Sequence, residues 1–379
     1  MMNIMVTIQK VDTDSKKEVD QFVNFPFSIY EGIDAWVPPI KMDIQTMLNK
    51  NKHPFYEHSD AEFFIAQENG EMLGRIACLE NKVYNQHHGK KEASFYLFEC
   101  VDDDSIAEKL FDHSFSWARE RGLDYIVGPK GLSSFNGYGF LIDGFDKRQM
   151  MTMMNYNKPN YPRFIENAGF EKIVDWVSSY VNIAEFQMPE KIRVVSEKVK
   201  DKGRFQVHRF KSKSELKKWA WKIGQAYNQS FVNNWEYYPL TDNEIKFVLD
   251  DIMVVAVPDL IKVITYDDKV VGFLLAFPDI SAALQRHQGR LNPISVLSYL
   301  KEQKSTNWVS FNGIGILPEY QGFGGNALLF SEIYDTAHSS KFIHGELTQI
   351  AESATQMRKD LENLGVHPHK NHRIYGRKL

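Results

Sequence analysis

Two cysteines, Cys78 and Cys100, are all that the 379 residues contain. That is too few for a disulfide framework and matches no zinc-binding spacing, so a reducing compartment is the simpler setting. Long apolar runs are also missing. Stretches such as 252–257 fall far short of the roughly 20 residues that span a bilayer, and the first ten residues lack the basic start and apolar core of a secretion signal. Nor does one sign of charge dominate: 45 Lys and Arg stand against 49 Asp and Glu, a net charge of −4. A broad electrostatic footprint for nucleic acid is thereby disfavoured. The expectation is a soluble cytoplasmic protein with a small or peptide-like partner, no nucleic acid and no membrane.

What is present is core-forming material. Hydrophobic residues make up 43% of the chain, enough for two domains. Residues 6–11 alternate as a strand, and 15–30 carry Val19, Phe22, Val23 and Phe27 at helical spacing. Two strands, 62–67 and 72–80, flank Asn69-Gly70, a strong hairpin signal. A strand at 94–100, a helix at 105–121 capped by Asp103 or Asp104, a short strand at 125–127, a helix at 161–168 and strands over 170–181 complete the unit.

The polar, lysine-rich stretch 189–204 reads as a boundary, after which the order of elements begins again. Strand 205–210 is followed by helices 215–231 and 241–252 and by a hairpin, 259–265 and 270–277, turning at Asp267-Asp268. Then come strand 307–317, helix 325–339, strand 342–347, helix 352–364 and strand 373–377. The expected division is 1–190 and 191–379, a structural duplication without evident sequence identity.

The most informative segment is Gly313-Ile314-Gly315-Ile316-Leu317-Pro318-Glu319-Tyr320-Gln321-Gly322-Phe323-Gly324-Gly325-Asn326. An apolar strand runs into a glycine-rich turn that opens a helix, which aims backbone N–H groups and the positive end of the helix dipole at one point. A pyrophosphate fits there. Gly322, Gly324 and Gly325 permit positive φ and close approach, and Gln321 is long enough to close the turn.

This segment resembles motif A of the GNAT acyltransferases, whose pattern of Gln or Arg, two residues, Gly, one residue, then Gly or Ala falls on Gln321, Gly324 and Asn326. Asn326 departs from it. The whole chain also resembles a bacterial tandem-GNAT family, through Trp36-Val37-Pro38-Pro39, His53-Pro54-Phe55, Gly74-Arg75-Ile76, Gly128-Pro129, Gly144-Phe145-Asp146, Gly169-Phe170, Pro278-Asp279 and Arg373-Ile374-Tyr375. The resemblance implies an α/β (mixed α+β) fold, two tandem GNAT-like domains, each a mostly antiparallel mixed sheet flanked by helices. It implies acetyl-CoA or another acyl-CoA as co-substrate, no metal, and transfer to a small-molecule or peptide amine. Pantetheine would pair with the backbone of Ile314, Gly315 and Ile316, and the diphosphate would lie on Gln321, Gly322, Phe323, Gly324, Gly325 and Asn326.

The usual helpers of that chemistry, an Asn at the start of the helix after the fifth strand and a Tyr two turns on, fall here on Ala354 and Leu361. Tyr320 and Tyr375 are alternative phenols, though each also reads as a packed tyrosine. Glu346, with His344 on the same strand face, is the preferred base; two polar residues on a half-exposed strand are the plainer account. Trp235, Tyr237 and Tyr238 in the aromatic loop 228–238 read either as an acceptor wall or as packing. Asp102, Asp103 and Asp104 stand where the first half would need bare amides, so that half is not expected to hold CoA in the usual way. Its glycine-rich segment with Tyr138 and the methionine run 150–154 are expected to line an acceptor cleft, with core packing as the alternative for the methionines. His367, His369 and His372 read as a solvated basic strand end, not a metal site. A catalytically inactive acyl-CoA or small-molecule binder is the rival function.

Overall fold

The computed structural model describes residues 6–150 and 154–379. In chain order the first elements are β1 (Thr7–Lys10), α1 (Lys16–Ile29), α2 (Lys41–Leu48), β2 (Asp60–Glu68), β3 (Glu71–Glu80), α3 (Lys82–His88), β4 (Glu92–Cys100), α4 (Asp104–Glu120), β5 (Tyr125–Gly128), β6 (Phe140–Asp143), α5 (Tyr161–Asn167) and β7 (Glu171–Asn182). Next come α6 (Glu190–Asp201), β8 (Gln206–Arg209), α7 (Lys213–Ser230), α8 (Asp242–Val255), β9 (Ile261–Tyr266), β10 (Lys269–Pro278), α9 (Ser281–His287) and α10 (Pro293–Ser305). The chain ends with β11 (Trp308–Ile316), α11 (Gly325–His338), β12 (His344–Ala351), α12 (Thr355–Leu364) and β13 (His367–Lys378).

Two compact units result, and they interleave. One comprises residues 1–177, 281–299 and 370–379; the other comprises 178–280 and 300–369. Residues 370–379, which lie beyond the boundary expected at 190/191, group with the first unit. Residues 189–204, read from sequence as a polar boundary, instead form α6, whose apolar side packs on the core of the second unit through Ile192 and Val199. Lysines at 198, 200 and 202 mask that stripe in the sequence.

In the first unit β1, β2, β3 and β4 are antiparallel neighbours, β5 joins β4 in parallel, and β13 pairs antiparallel with β5 and β6. Asn69 and Gly70 both have positive φ, +52° and +82°, which gives the tight turn that the β2–β3 hairpin requires. Helix α4, N-capped by Asp103, lays Ile106, Leu110, Phe111, Phe115 and Trp117 into a core with Phe95, Phe98 and Phe170. Gly74 lets it come close, since a Cβ there would meet Leu110 Cδ1 at 2.7 Å. Truncating a fully buried ring such as Phe111 would cost about 3–5 kcal/mol.

The second unit repeats the plan. Strands β8, β9, β10 and β11 are antiparallel neighbours and β12 joins β11 in parallel. Asp267 and Asp268 turn the β9–β10 hairpin with φ +46° and +62°. Helix α8 begins in a full capping box, Thr241 with Glu244. Helix α11 places Leu328, Leu329 and Ile333 on the sheet.

The last strand is locked by charge. Arg373 donates from Nε and Nη2 to the two oxygens of Asp175, at 2.7 and 2.9 Å, and Asn371 Nδ2 adds a third bond at 3.2 Å. Partial burial raises the Asp175 pKa, but the bonds from Arg373, Lys172 and Asn371 outweigh it and hold the carboxyl at about 2 instead of 3.8. A depressed carboxylate stabilises the fold above its unfolded pKa, and that contribution fades as pH falls from about 3.8 towards about 2. Denaturant titrations of wild type and Asp175→Asn should show a stability deficit in the variant at pH 7 that narrows between pH 5 and pH 3. A pH-independent deficit would remove the ion pair from the account.

Candidate active site

Both units contain a bulged strand at the same place in the plan. Register between β3 and β4 passes from Arg75↔Glu99 to Ala77↔Tyr96, which leaves one extra residue in β4, where Leu97 has φ +51°. Between β10 and β11 it passes from Leu275↔Gly313 to Ala276↔Phe311, and the extra residue is Asn312. Each bulged strand then parts from its parallel neighbour. Pairing of β4 with β5 runs from Glu92↔Tyr125 to Ser94↔Val127, and pairing of β11 with β12 from Trp308↔His344 to Phe311↔Leu347. Beyond these rungs two strand edges face an opening.

In the first unit the opening is filled by the chain itself. The hydroxyl of Tyr161, on α5, accepts the Cys100 N–H at 2.9 Å and lies 2.9 Å from Glu99 Oε2. Tyr30 donates to the same oxygen at 2.6 Å, and Arg75 stands 3.8 Å from Oε1. The start of α4 is likewise occupied. Asp103 Oδ1 accepts from the N–H and hydroxyl of Ser105, at 2.8 and 2.7 Å, while Asp102 and Asp104 both meet Arg163 of α5. No anion would be drawn to three carboxylates.

In the second unit the strand edge is unpaired, while the helix start is partly covered, with Gly325 buried and Gly324 close to Val199 of α6. Residues 313–316 pair with β10 on one edge and with no strand on the other among the described residues. The turn that follows is exposed at Gln321, Gly322 and Phe323, and Gln321 Nε2 closes it by donating to the Ile316 carbonyl at 3.1 Å. Gly322 and Gly324 have φ +81° and +87°, a conformation that L-residues with side chains rarely adopt. A Cβ on Gly324 would also meet Val199 Cγ2 of α6 at 2.6 Å. The first intrahelical bond of α11 is Leu328 N–H to the Gly324 carbonyl, at 3.1 Å. The amides of Gly325, Asn326 and Ala327 therefore have no intrahelical acceptor, the geometry that binds phosphate. Asn326 turns its side chain to Asp360 on α12, with Nδ2 to Oδ2 at 3.2 Å.

The remaining candidates scatter. Glu346 is fully buried on β12 opposite Ser310, one residue before the last paired rung. His344 lies two residues further back, roughly 7 Å along the strand at about 3.3 Å per residue. Its Nδ1 is 2.7 Å from the Tyr180 hydroxyl and its ring stacks on Trp308 at 4.6 Å. Tyr320 sits beyond the far end of β11 against Phe205 and Tyr266. Tyr375 is buried in the first unit. In the loop between α7 and α8, Tyr238 is buried and Trp235 and Tyr237 are half-buried. Tyr138 belongs to the first unit and stacks on Trp176 at 4.9 Å. Met150 and Met154 are buried, and residues 151–153 lie outside the described residues.

Ala354 caps α12 without a side-chain bond, and Leu361 is packed in the core, so neither position supplies a polar group. The basic end of the chain is solvated at His367 and half-buried at His369, but Lys370 and His372 are buried, and His372 Nε2 donates to the Asn155 carbonyl at 3.0 Å. No group of metal-ligating residues occurs among the described residues. Sequence reading missed Asn312. Its side-chain oxygen and nitrogen are both buried without a hydrogen-bond partner, at the bulge where β11 and β12 part. Only the register of the sheet marks that residue as special.

Burial raises the Glu99 pKa to about 7, against the opposing effect of Arg75 and the two tyrosine hydroxyls. A raised carboxyl pKa favours the protonated fold below about 4.5, and that stability is lost as pH rises through about 7. Melting curves at pH 5, 6.5 and 8 should therefore show wild type falling progressively behind Glu99→Gln, which keeps an acceptor for both hydroxyls. Parallel curves across this range would contradict the burial of a largely protonated Glu99.

No family model matches the chain. It is 24% identical over 374 residues to protein YghO of Escherichia coli (strain K12), covering 96% of this chain and 94% of that one. It is 24% identical over 371 residues to a bacterial ceramide synthase of Caulobacter vibrioides, covering 96% and 95%. Among solved structures, a tandem GNAT protein from the clavulanic acid biosynthesis pathway, determined without acetyl-CoA, matches 99% of this chain and 98% of its own at TM-score 0.57 and 11% identity. A GCN5-related glucosamine N-acetyltransferase region of a fungal multi-domain β-N-acetylglucosaminidase matches 100% of this chain and 38% of its own at TM-score 0.58 and 14% identity. With the duplicated order of strands and the paired bulges, these likenesses identify the chain as having the tandem fold of the GCN5-related N-acetyltransferases.

Proposed function

We propose that the second unit binds an acyl-CoA and transfers its acyl group to an amine, and that the first unit does not bind CoA. One contrast carries this reading. The strand opening that Tyr161 fills in the first unit has an edge in the second that is unpaired among the described residues, and the helix start that Asp103 caps in the first is preceded in the second by a glycine at positive φ with no side-chain cap. Pantetheine would add to the free edge of residues 313–316 as a strand adds to a sheet, and the diphosphate would lie on the amides of 322–327.

The acyl carbonyl then falls beside Asn312, whose amide nitrogen is free to donate to the oxygen as negative charge develops on it. The amine nitrogen attacks the carbonyl carbon, the C–N bond forms and the C–S bond breaks. CoA leaves as a thiolate and is protonated from solvent, since Leu361 offers no acid. Glu346, one residue from the parting of the strands, takes the proton that the amine loses. Tyr320 and His344 are held in aromatic contacts away from this point and are not given a part in the transfer.

The Caulobacter relative's name directs the choice of substrate: a long-chain acyl-CoA with a lipid amine is the first pair to try, ahead of acetyl-CoA with a sugar or peptide amine. The second reading, a binder without chemistry, is favoured by Ala354 and Leu361.

Acyl-CoA should raise the melting temperature, because a ligand of the folded state adds RT ln(1 + [L]/Kd) to stability. Gly322 has open space around it, so the paired variants Gly322→Asn and Gly322→Asp differ chiefly in charge, and both residue types tolerate its positive φ. The shift should largely survive in Gly322→Asn and vanish in Gly322→Asp. Equal shifts in the two would move the diphosphate elsewhere. In a screen that detects released thiol, Glu346→Gln should keep the thermal shift and lose roughly 100-fold or more in kcat. An undiminished kcat would remove Glu346 as the base, and a shift without thiol release from any amine would select the binder.

A further inference from the structure

Within residues 281–305, helix α10 presents its side chains the wrong way round for a helix in water. In α10 the residues turned inward are Ser295, fully buried, and Tyr299, whose hydroxyl donates to the Arg290 carbonyl at 2.6 Å. The aliphatic residues are turned out: Ile294 is 74% exposed and Leu297 68%, with Val296, Leu300 and the preceding Leu291 also exposed. A surface helix normally buries its aliphatic stripe and shows its polar one. At about 100° per residue, Ile294, Leu297 and Leu300 share one side with Lys301 and Lys304, opposite Ser295 and Tyr299. Arg290 is exposed beside Leu291, and Glu302 is the one carboxylate in the segment.

We infer that α10 is a membrane-docking surface that lays Ile294, Leu297 and Leu300 into the interface of an anionic phospholipid bilayer. An exposed aliphatic ridge bordered by lysines fits that partner on two counts. The aliphatic tips enter the acyl boundary, and the lysines reach back to the headgroups along their own methylene stems. Charge complementarity selects an anionic surface: the segment carries four Arg and Lys against one Glu in a chain whose net charge is −4. Among the described residues no helix is long and apolar enough to cross a bilayer, so the contact argued here is one with the membrane surface. The expectation of no membrane partner, drawn from the lack of an apolar span, does not bear on this kind of contact. The inference does not rest on the acyl-transfer reading, although a lipid amine would be met at such a surface.

The test is co-sedimentation of the full chain with vesicles of phosphatidylcholine alone and with 30% phosphatidylglycerol, alongside its elution volume without lipid. Binding should be selective for the phosphatidylglycerol vesicles and weakened by salt. Ile294→Ser with Leu297→Ser should reduce it at least tenfold, and Lys301→Gln with Lys304→Gln should remove most of the anionic selectivity. Because these side chains are exposed, melting temperature should stay near wild type, and any variant that fails this check is replaced by Leu297→Ser alone. Absence of vesicle binding, or binding indifferent to the aliphatic pair, overturns the inference. So does a dimer in solution that the aliphatic pair dissociates while vesicles are ignored, which would make a second copy the occupant.

Discussion

A strand that parts from its neighbour leaves a row of backbone amides and carbonyls that some other group must satisfy, and each unit of this chain is organised around one such row. In β4 and again in β11 a single inserted residue turns the strand out of register with the strand before it, and the parallel pairing with the strand after it ends within three or four rungs. The rest follows from how the open edge is met. In the first unit α5 supplies Tyr161 to Cys100 and brings Arg163 to Asp102 and Asp104, and the buried Glu99 is drawn into the same network. In the second, glycines at positive φ shape the exposed turn into α11, and α12 meets the start of that helix through Asp360 and Asn326 instead of filling the strand opening with a hydroxyl.

The electrostatics agree with the backbone. A helix start concentrates partial positive charge, which the first unit cancels with its own carboxylates and which, in our proposal, the second offers to a ligand. The same fold thus yields a self-satisfied unit and an open one without any change in strand order. Duplication allows this, since one copy can retain an opening while the other closes it with a seven-residue helix.

Local signals were legible in the sequence because each rests on neighbours in the chain. Asn69-Gly70 and Asp267-Asp268 make their hairpins, Asp103 caps the helix it precedes, and the glycines from 322 to 325 make the turn into α11. What could not be read depends on distant partners. Helix α6 hides its short apolar stripe among lysines, and β13 is claimed by the first unit through Asp175, nearly 200 residues earlier. His372 looks like a solvated base until the strand is seen to be buried. Helix α10 reverses the usual pattern and so gives no clean period, and Asn312 becomes distinctive only when β10 and β11 are laid side by side.

Hydrogen exchange of the intact chain with and without CoA tests the central claim most directly, because it reports both units in one experiment. The account predicts ligand-dependent protection over 313–327 and none over 95–107. Equal protection of the two segments, or protection of 95–107 alone, would contradict it.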